Sequence, residues 1–122
     1  KEMASGISSE HILLAGFSQG GVIALHAGLT FKHKLAGIIA LSTYFPTIEK
    51  VITELSIANH NTPIFMGHGI LDSIVAIESG KSVFNKLNDF QYNIEWHEYV
   101  MEHSVCNEEI NHISSYINQI FC

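Results

Sequence analysis

A serine among glycines, Gly16-Phe17-Ser18-Gln19-Gly20, interrupts an otherwise apolar run from Leu13 to Gly28. The spacing is G-x-S-x-G, the pattern of a nucleophile elbow. A sharp strand-to-helix turn forces the central residue into a strained backbone conformation. Side chains two residues before and after it collide, which predicts glycine at both places. Such a turn holds Ser18 out at the carboxyl end of a sheet. The next helix points its N-terminus at the site, with the Gln19 backbone N–H as an oxyanion donor. The five residues alone are weak, because a glycine-rich turn that cradles phosphate looks much the same. A serine nucleophile also needs a base, and the base needs an orienting acid. Asp72 in "GHGILDSIV" and His103 in "VMEHSVC" are the candidates.

Periodicity places all three. His11–Phe17, Leu35–Ser42 and Pro63–His68 read as short, buried, apolar strands, and Tyr92–Val100 as a fourth with partial alternation. Continuous apolar runs of this kind suit parallel strands covered on both faces. Between them, Gly20–Thr30 reads as a buried helix, Thr47–Ala58 as a short one, and Ile74–Asp89 as an amphipathic one presenting Ile77, Phe84 and Leu87. Asn107–Phe121 is the clearest helix: Asn107 caps it, Glu108 and Glu109 favour its positive end, and Ile110, Ile113, Ile117 and Ile120 form a stripe. Lys1–Ser5 reads as the tail of a helix ended by Gly6. Alternating strands and helices predict an α/β protein with a parallel sheet and helices on both faces. Ser18, Asp72 and His103 then lie at carboxyl ends of strands, where such sheets bind ligands. An aspartate after a strand is commonly a turn or cap residue, and a loop histidine is commonly just solvated. Three such residues in the order Ser, Asp, His match the α/β-hydrolase arrangement.

The sequence resembles the phospholipase/carboxylesterase family of α/β-hydrolases, which includes the acyl-protein thioesterases. The stretches "ILLAGFSQGGVIAL", "LAGIIALSTYFP", "PIFMGHGILDSIV" and "WHEYVMEHSVCNEEI" carry the resemblance and cover most of the chain. It implies Ser18 as nucleophile, Asp72 as orienter and His103 as general base. By the same resemblance Thr43, Tyr44 and Phe45 sit near the acyl pocket. The family usually has polar or acidic residues between the "HG" and the aspartate, and here Ile70 and Leu71 stand there.

Members of the family carry about half their length before the elbow strand, including a loop that donates the second oxyanion N–H. Only twelve residues precede Leu13 here. The expectation is therefore the C-terminal half of an α/β-hydrolase, with residues 1–122 forming a partial domain of about four mostly parallel strands. One missing donor costs on the order of 10²–10³ in turnover. The elbow strand becomes an apolar, uncharged sheet edge open to aggregation or pairing. Low stability and weak activity follow, with repair by a complementing N-terminal fragment, and self-association through the exposed sheet edge is the other partner expected.

Composition narrows the field. The chain is 47% hydrophobic and 15% charged, which fits a folded core rather than disorder. A net charge of −6 argues against nucleic acid and anionic membranes. No apolar run is long enough to span a bilayer, and no signal peptide is visible. The two cysteines, Cys106 and Cys122, form no disulfide framework and fit a cytoplasmic setting. Eight histidines invite a metal reading, but no H-E-x-x-H or Cys-x-x-Cys spacing occurs. No metal or cofactor is implied. His26 reads as a core or near-site residue, His68 as support for the Asp72 loop, and Trp96 as core. A thiol nucleophile at Cys106 competes poorly with an intact elbow. The leading reading is a serine esterase or thioesterase acting on small-molecule, lipid or acylated-protein esters. Its rivals are a non-catalytic remnant and a serine peptidase on the same fold.

Overall fold

The structure, a computed structural model, describes residues 6–121. The helix tail expected over Lys1–Ser5, and Cys122, lie outside them. Eight elements alternate along the chain: β1 (Leu13–Phe17), α1 (Gln19–Thr30), β2 (Gly37–Leu41), α2 (Ile48–Ile52), β3 (Ile64–Gly69), α3 (Ile77–Asp89), β4 (Ile94–Tyr99) and α4 (Asn107–Phe121). The strands form one parallel sheet in the order β1-β2-β3-β4. The expected α/β architecture is present. Among the described residues, no helix is long and apolar enough to cross a membrane.

Every residue of β2 and β3 is buried, as their unbroken apolar runs require. On one face, Ala24, Leu25 and Leu29 of α1 and Val83 and Leu87 of α3 pack with Ile38, Ile64 and Met66. On the other, Tyr116 of α4 packs with Ile39, Leu41 and Phe65, and Ile113, Ile117 and Ile120 close around them. Two glycines let α4 approach. A side chain at Gly37 would strike the Tyr116 hydroxyl, and one at Gly67 would strike the Glu109 carboxylate. Tyr116 uses its hydroxyl to bond the Pro63 carbonyl and to accept from the Ile38 N–H.

Several elements differ from expectation for local reasons. β1 starts at Leu13 because Ser9–His11 form a turn of 3₁₀ helix. The helix expected over Thr47–Ala58 is only α2 plus a second 3₁₀ turn at Ile57–Asn59. There the Thr53 hydroxyl bonds back to Lys50 O, and Ser56 N–H leaves to bond Leu29 O. α3 starts at Ile77, three residues late, because the Asp72 side chain takes the Ile74 and Val75 N–H groups. α1 is buried on one side only, through Gly21, Ala24, Leu25, Gly28 and Leu29. Ile23 and His26 face solvent, so His26 is not a core residue. Asn107 does not cap α4: it is the first helical residue, and Cys106 O accepts the Ile110 N–H. Three isoleucines of the α4 stripe, Ile113, Ile117 and Ile120, pack on the core, while Ile110 is 52% exposed and Glu109 and Tyr116 complete the buried face.

Glu109 is fully buried, and neither carboxylate oxygen has a hydrogen-bond partner. Burial pushes its pKa from the ordinary 4.5 up to about 7. The folded chain thus holds this proton more tightly than the unfolded one. Stability is full below the ordinary carboxylate range and is lost as pH rises through about 7, by a total of about 3 kcal/mol. Urea unfolding between pH 5 and 9 checks this: the midpoint should fall with pH, and Glu109→Gln should flatten the decline.

Candidate active site

Ser18 directly follows β1 and starts α1. Its backbone has φ 58° and ψ −118°, a strained combination for a residue with a side chain. Its N–H bonds Leu41 O at 2.8 Å, which ties the elbow to β2. The turn is tight enough that a side chain at Gly16 would strike the Gly20 carbonyl. The expectation for Gly20 itself fails, since a side chain there would meet open space. The second obligatory glycine is Gly21, which lies against Thr43. On the neighbouring strand Ser42 is also left-handed, at φ 49°. Two adjacent strands therefore end in strained residues side by side, in register with Phe17 paired to Leu41.

Asp72 lies on the turn after β3. Its Oδ1 accepts from Ile74 N–H at 2.9 Å and Val75 N–H at 2.8 Å, an Asx turn that fixes the carboxylate. Its Oδ2 accepts from His103 Nδ1 at 2.7 Å. The group is 8% exposed. Burial alone raises its pKa, but the hydrogen bonds from His103, Val75 and Ile74, with the His103 charge, outweigh burial and lower it. Beneath the turn, buried His68 donates from Nε2 to Val75 O at 2.8 Å, with Asp72 Oδ2 3.5 Å away. Gly80 leaves room for that ring.

His103 lies between β4 and α4. Its Nε2 is 3.1 Å from Ser18 Oγ, and its ring rests on Phe17 with centroids 4.8 Å apart. With Nδ1–H committed to Asp72, Nε2 is left as the acceptor of the Ser18 hydroxyl proton. The loops holding Asp72 and His103 are tied together, with Ile70 N–H on Tyr99 O and Leu71 N–H on Met101 O. A side chain at Gly69 would strike the Met101 and Glu102 carbonyls. Ile70 and Leu71, 45% and 57% exposed, thus leave the turn in place through their backbone.

A hollow of about 530 Å³ opens beside Ser18, walled by Tyr44, Ile74, Val75, Ala76 and Ser79. Tyr44 and Ser79 also line a neighbouring hollow of about 530 Å³, together with Phe45, Ile48 and Val83 and the charged Glu49, Glu78 and Lys86. Thr43 stands in neither. It is fully buried under the elbow, its hydroxyl on Ser18 O. Trp96 is half-buried against the core, with its indole N–H on Glu98. His68 is legible from its place before Asp72. Thr43 and Gly21 have no signal of their own, because their roles depend on contacts across the sheet.

The phospholipase/carboxylesterase family profile matches residues 1–121. The chain belongs to this family. It is 41% identical over 122 residues to acyl-protein thioesterase 1 of Neurospora crassa, covering 98% of this chain and 50% of that protein. It is 31% identical to a probable carboxylesterase, SOBER1-like, of Arabidopsis thaliana, covering 98% and 46%. The crystal structure of Arabidopsis thaliana SOBER1 superposes with a TM-score of 0.92 at 30% identity, covering 99% of this chain and 58% of that one. The chain thus spans about half the length of these relatives. The relatives themselves are named as thioesterases and carboxylesterases.

The glycine geometry makes a sharp prediction. Gly20→Ala should leave thermal stability within about 1 kcal/mol of the parent. Gly16→Ala and Gly21→Ala should each lose at least 1–3 kcal/mol, roughly, as overpacked sites do. Thermal unfolding followed by circular dichroism checks all three.

Proposed function

We propose that this chain carries the triad of a serine hydrolase for carboxylic esters and acyl thioesters, with Ser18 as nucleophile, His103 as general base and Asp72 as orienter. The observation that carries the reading is the unbroken line from Ser18 Oγ to His103 Nε2 at 3.1 Å and from His103 Nδ1 to Asp72 Oδ2 at 2.7 Å. The names of the relatives support the choice of ester and thioester chemistry.

In this reading Ser18 Oγ attacks the acyl carbon as its proton passes to His103 Nε2. The Gln19 N–H, in the first turn of α1 where no intrahelical acceptor exists, donates to the developing oxyanion. Asp72, held ionised, stabilises the imidazolium. When the tetrahedral species collapses, His103 gives the proton to the departing alcohol or thiol. Water, deprotonated by His103, then releases the acid and restores Ser18. The apolar walls at Tyr44, Ile74 and Val75 suit the acyl or alcohol part of the substrate, and Phe45 extends that surface in the adjoining hollow.

Residues 1–122 act here as part of an α/β-hydrolase domain. β1 pairs only with β2 among the described residues, and its outer side, Leu13 to Phe17, bears no charge. A further strand adding there, from another segment or a second copy, is the natural route for a second oxyanion donor. With one donor, turnover should lie on the order of 10²–10³ below a two-donor site.

A fluorophosphonate probe tests the triad without requiring turnover. Mass spectrometry should find one adduct, on Ser18, absent in Ser18→Ala. Asp72→Asn should slow its formation by about 10⁴-fold, because the imidazole loses its orienter. A folded chain that takes no adduct would end the proposal.

A further inference from the structure

The Gln19 N–H shares one peptide unit with the Ser18 carbonyl. The described peptide bonds include no cis bond, so this carbonyl and N–H point in opposite directions. Whatever fixes the carbonyl therefore aims the N–H. Three donors converge on Ser18 O. Gly21 N–H at 2.9 Å and Val22 N–H at 3.4 Å come from the start of α1 itself. The third and shortest is the Thr43 hydroxyl at 2.6 Å, which reaches across from the end of β2. Thr43 Oγ1 also lies 3.2 Å from Tyr44 O, but it carries one hydrogen, and the shorter contact takes it.

The position of Thr43 is fixed on every side. It is fully buried. It follows Ser42, whose left-handed backbone is tied by its N–H to Gly67 O at 2.8 Å. It packs against Gly21, where any side chain would strike its Cβ and hydroxyl. A valine has the same shape and fills the same space. What it lacks is the donor, and a buried hydroxyl is favoured over a methyl only through the bond it makes.

We infer that Thr43 is a positioning residue of the oxyanion site, clamping the Ser18–Gln19 peptide so that the Gln19 N–H faces the charge that develops on the substrate. The bond also polarises that peptide and strengthens its N–H as a donor. Thr43 touches no reacting atom, so it acts only through the peptide it holds. The inference rests on the serine-hydrolase reading and adds a residue to it.

The test compares the full chain with Thr43→Val and Thr43→Ser. Two quantities are read: the kinetics of Ser18 phosphonylation by a fluorophosphonate, and the Gln19 amide resonance in a ¹H–¹⁵N correlation spectrum. In phosphonylation, Ser18 Oγ bonds to phosphorus, fluoride leaves, and the serine proton goes to His103, while the phosphoryl oxygen takes the oxyanion position. Thr43→Val should lower the rate constant at saturating probe roughly tenfold and leave the half-saturating concentration unchanged. It should also shift the Gln19 amide, and Thr43→Ser should restore both. A valine variant that reacts within about twofold of the parent, with Gln19 unshifted, overturns the inference. So does an equal loss in both variants, or loss of the dispersed spectrum, since either means that Thr43 only fills space. If the parent takes no adduct, the serine-hydrolase reading fails by itself. The Gln19 shift in Thr43→Val, with its return in Thr43→Ser, then decides alone whether Thr43 holds the peptide.

Discussion

Parallel pairing of four strands is the constraint on which everything else in this molecule depends. Because β1 to β4 run the same way and in register, their carboxyl ends finish along one edge of the sheet. Ser18, Asp72 and His103 come from the ends of the first, third and fourth strands, as far apart as 85 positions along the chain. No loop has to travel far to bring them together. β2 supplies no member of the set, but it stands between β1 and β3, and its end supports the elbow through Leu41 O and Thr43. The burial of β2 and β3 keeps this frame stiff, and the glycines at 37 and 67 let α4 close over it.

Much of this was legible because the signals are local. Apolar runs of five or six residues mark parallel strands, and G-x-S-x-G marks the elbow with its own steric logic. Asp72 and His103 are each ambiguous alone and become informative through order and placement. What escaped the sequence depends on contacts between distant segments. Gly20 and Gly21 are indistinguishable as letters, and only the approach of Thr43 shows which one is obligatory. The α4 stripe is legible in three of its four isoleucines, but the pattern is silent on Glu109, which fits the space at Gly67 and faces inward. The start of α3 is hidden for a related reason, since Asp72 takes backbone donors that a helix would otherwise count as its own.

Electrostatics separate two buried carboxyl groups among the described residues. Asp72 and Glu109 are both removed from water, and burial pushes both upward. Asp72 receives two backbone N–H groups and an imidazole, so hydrogen bonding wins and the group stays ionised. Glu109 receives none, so burial wins. One buried carboxylate stays ionised against an imidazole, and the other resists ionisation. Donors, rather than depth, decide the outcome.

The central claim is that His103 is held between Asp72 and Ser18 in one orientation and one tautomer. Histidine ¹⁵N NMR on the full chain near neutral pH tests it most directly. The account predicts a protonated Nδ1 with a strongly deshielded, slowly exchanging proton, an unprotonated Nε2, and loss of that pattern in Asp72→Asn. A His103 ring that exchanges freely between tautomers, as a solvated imidazole does, would contradict it.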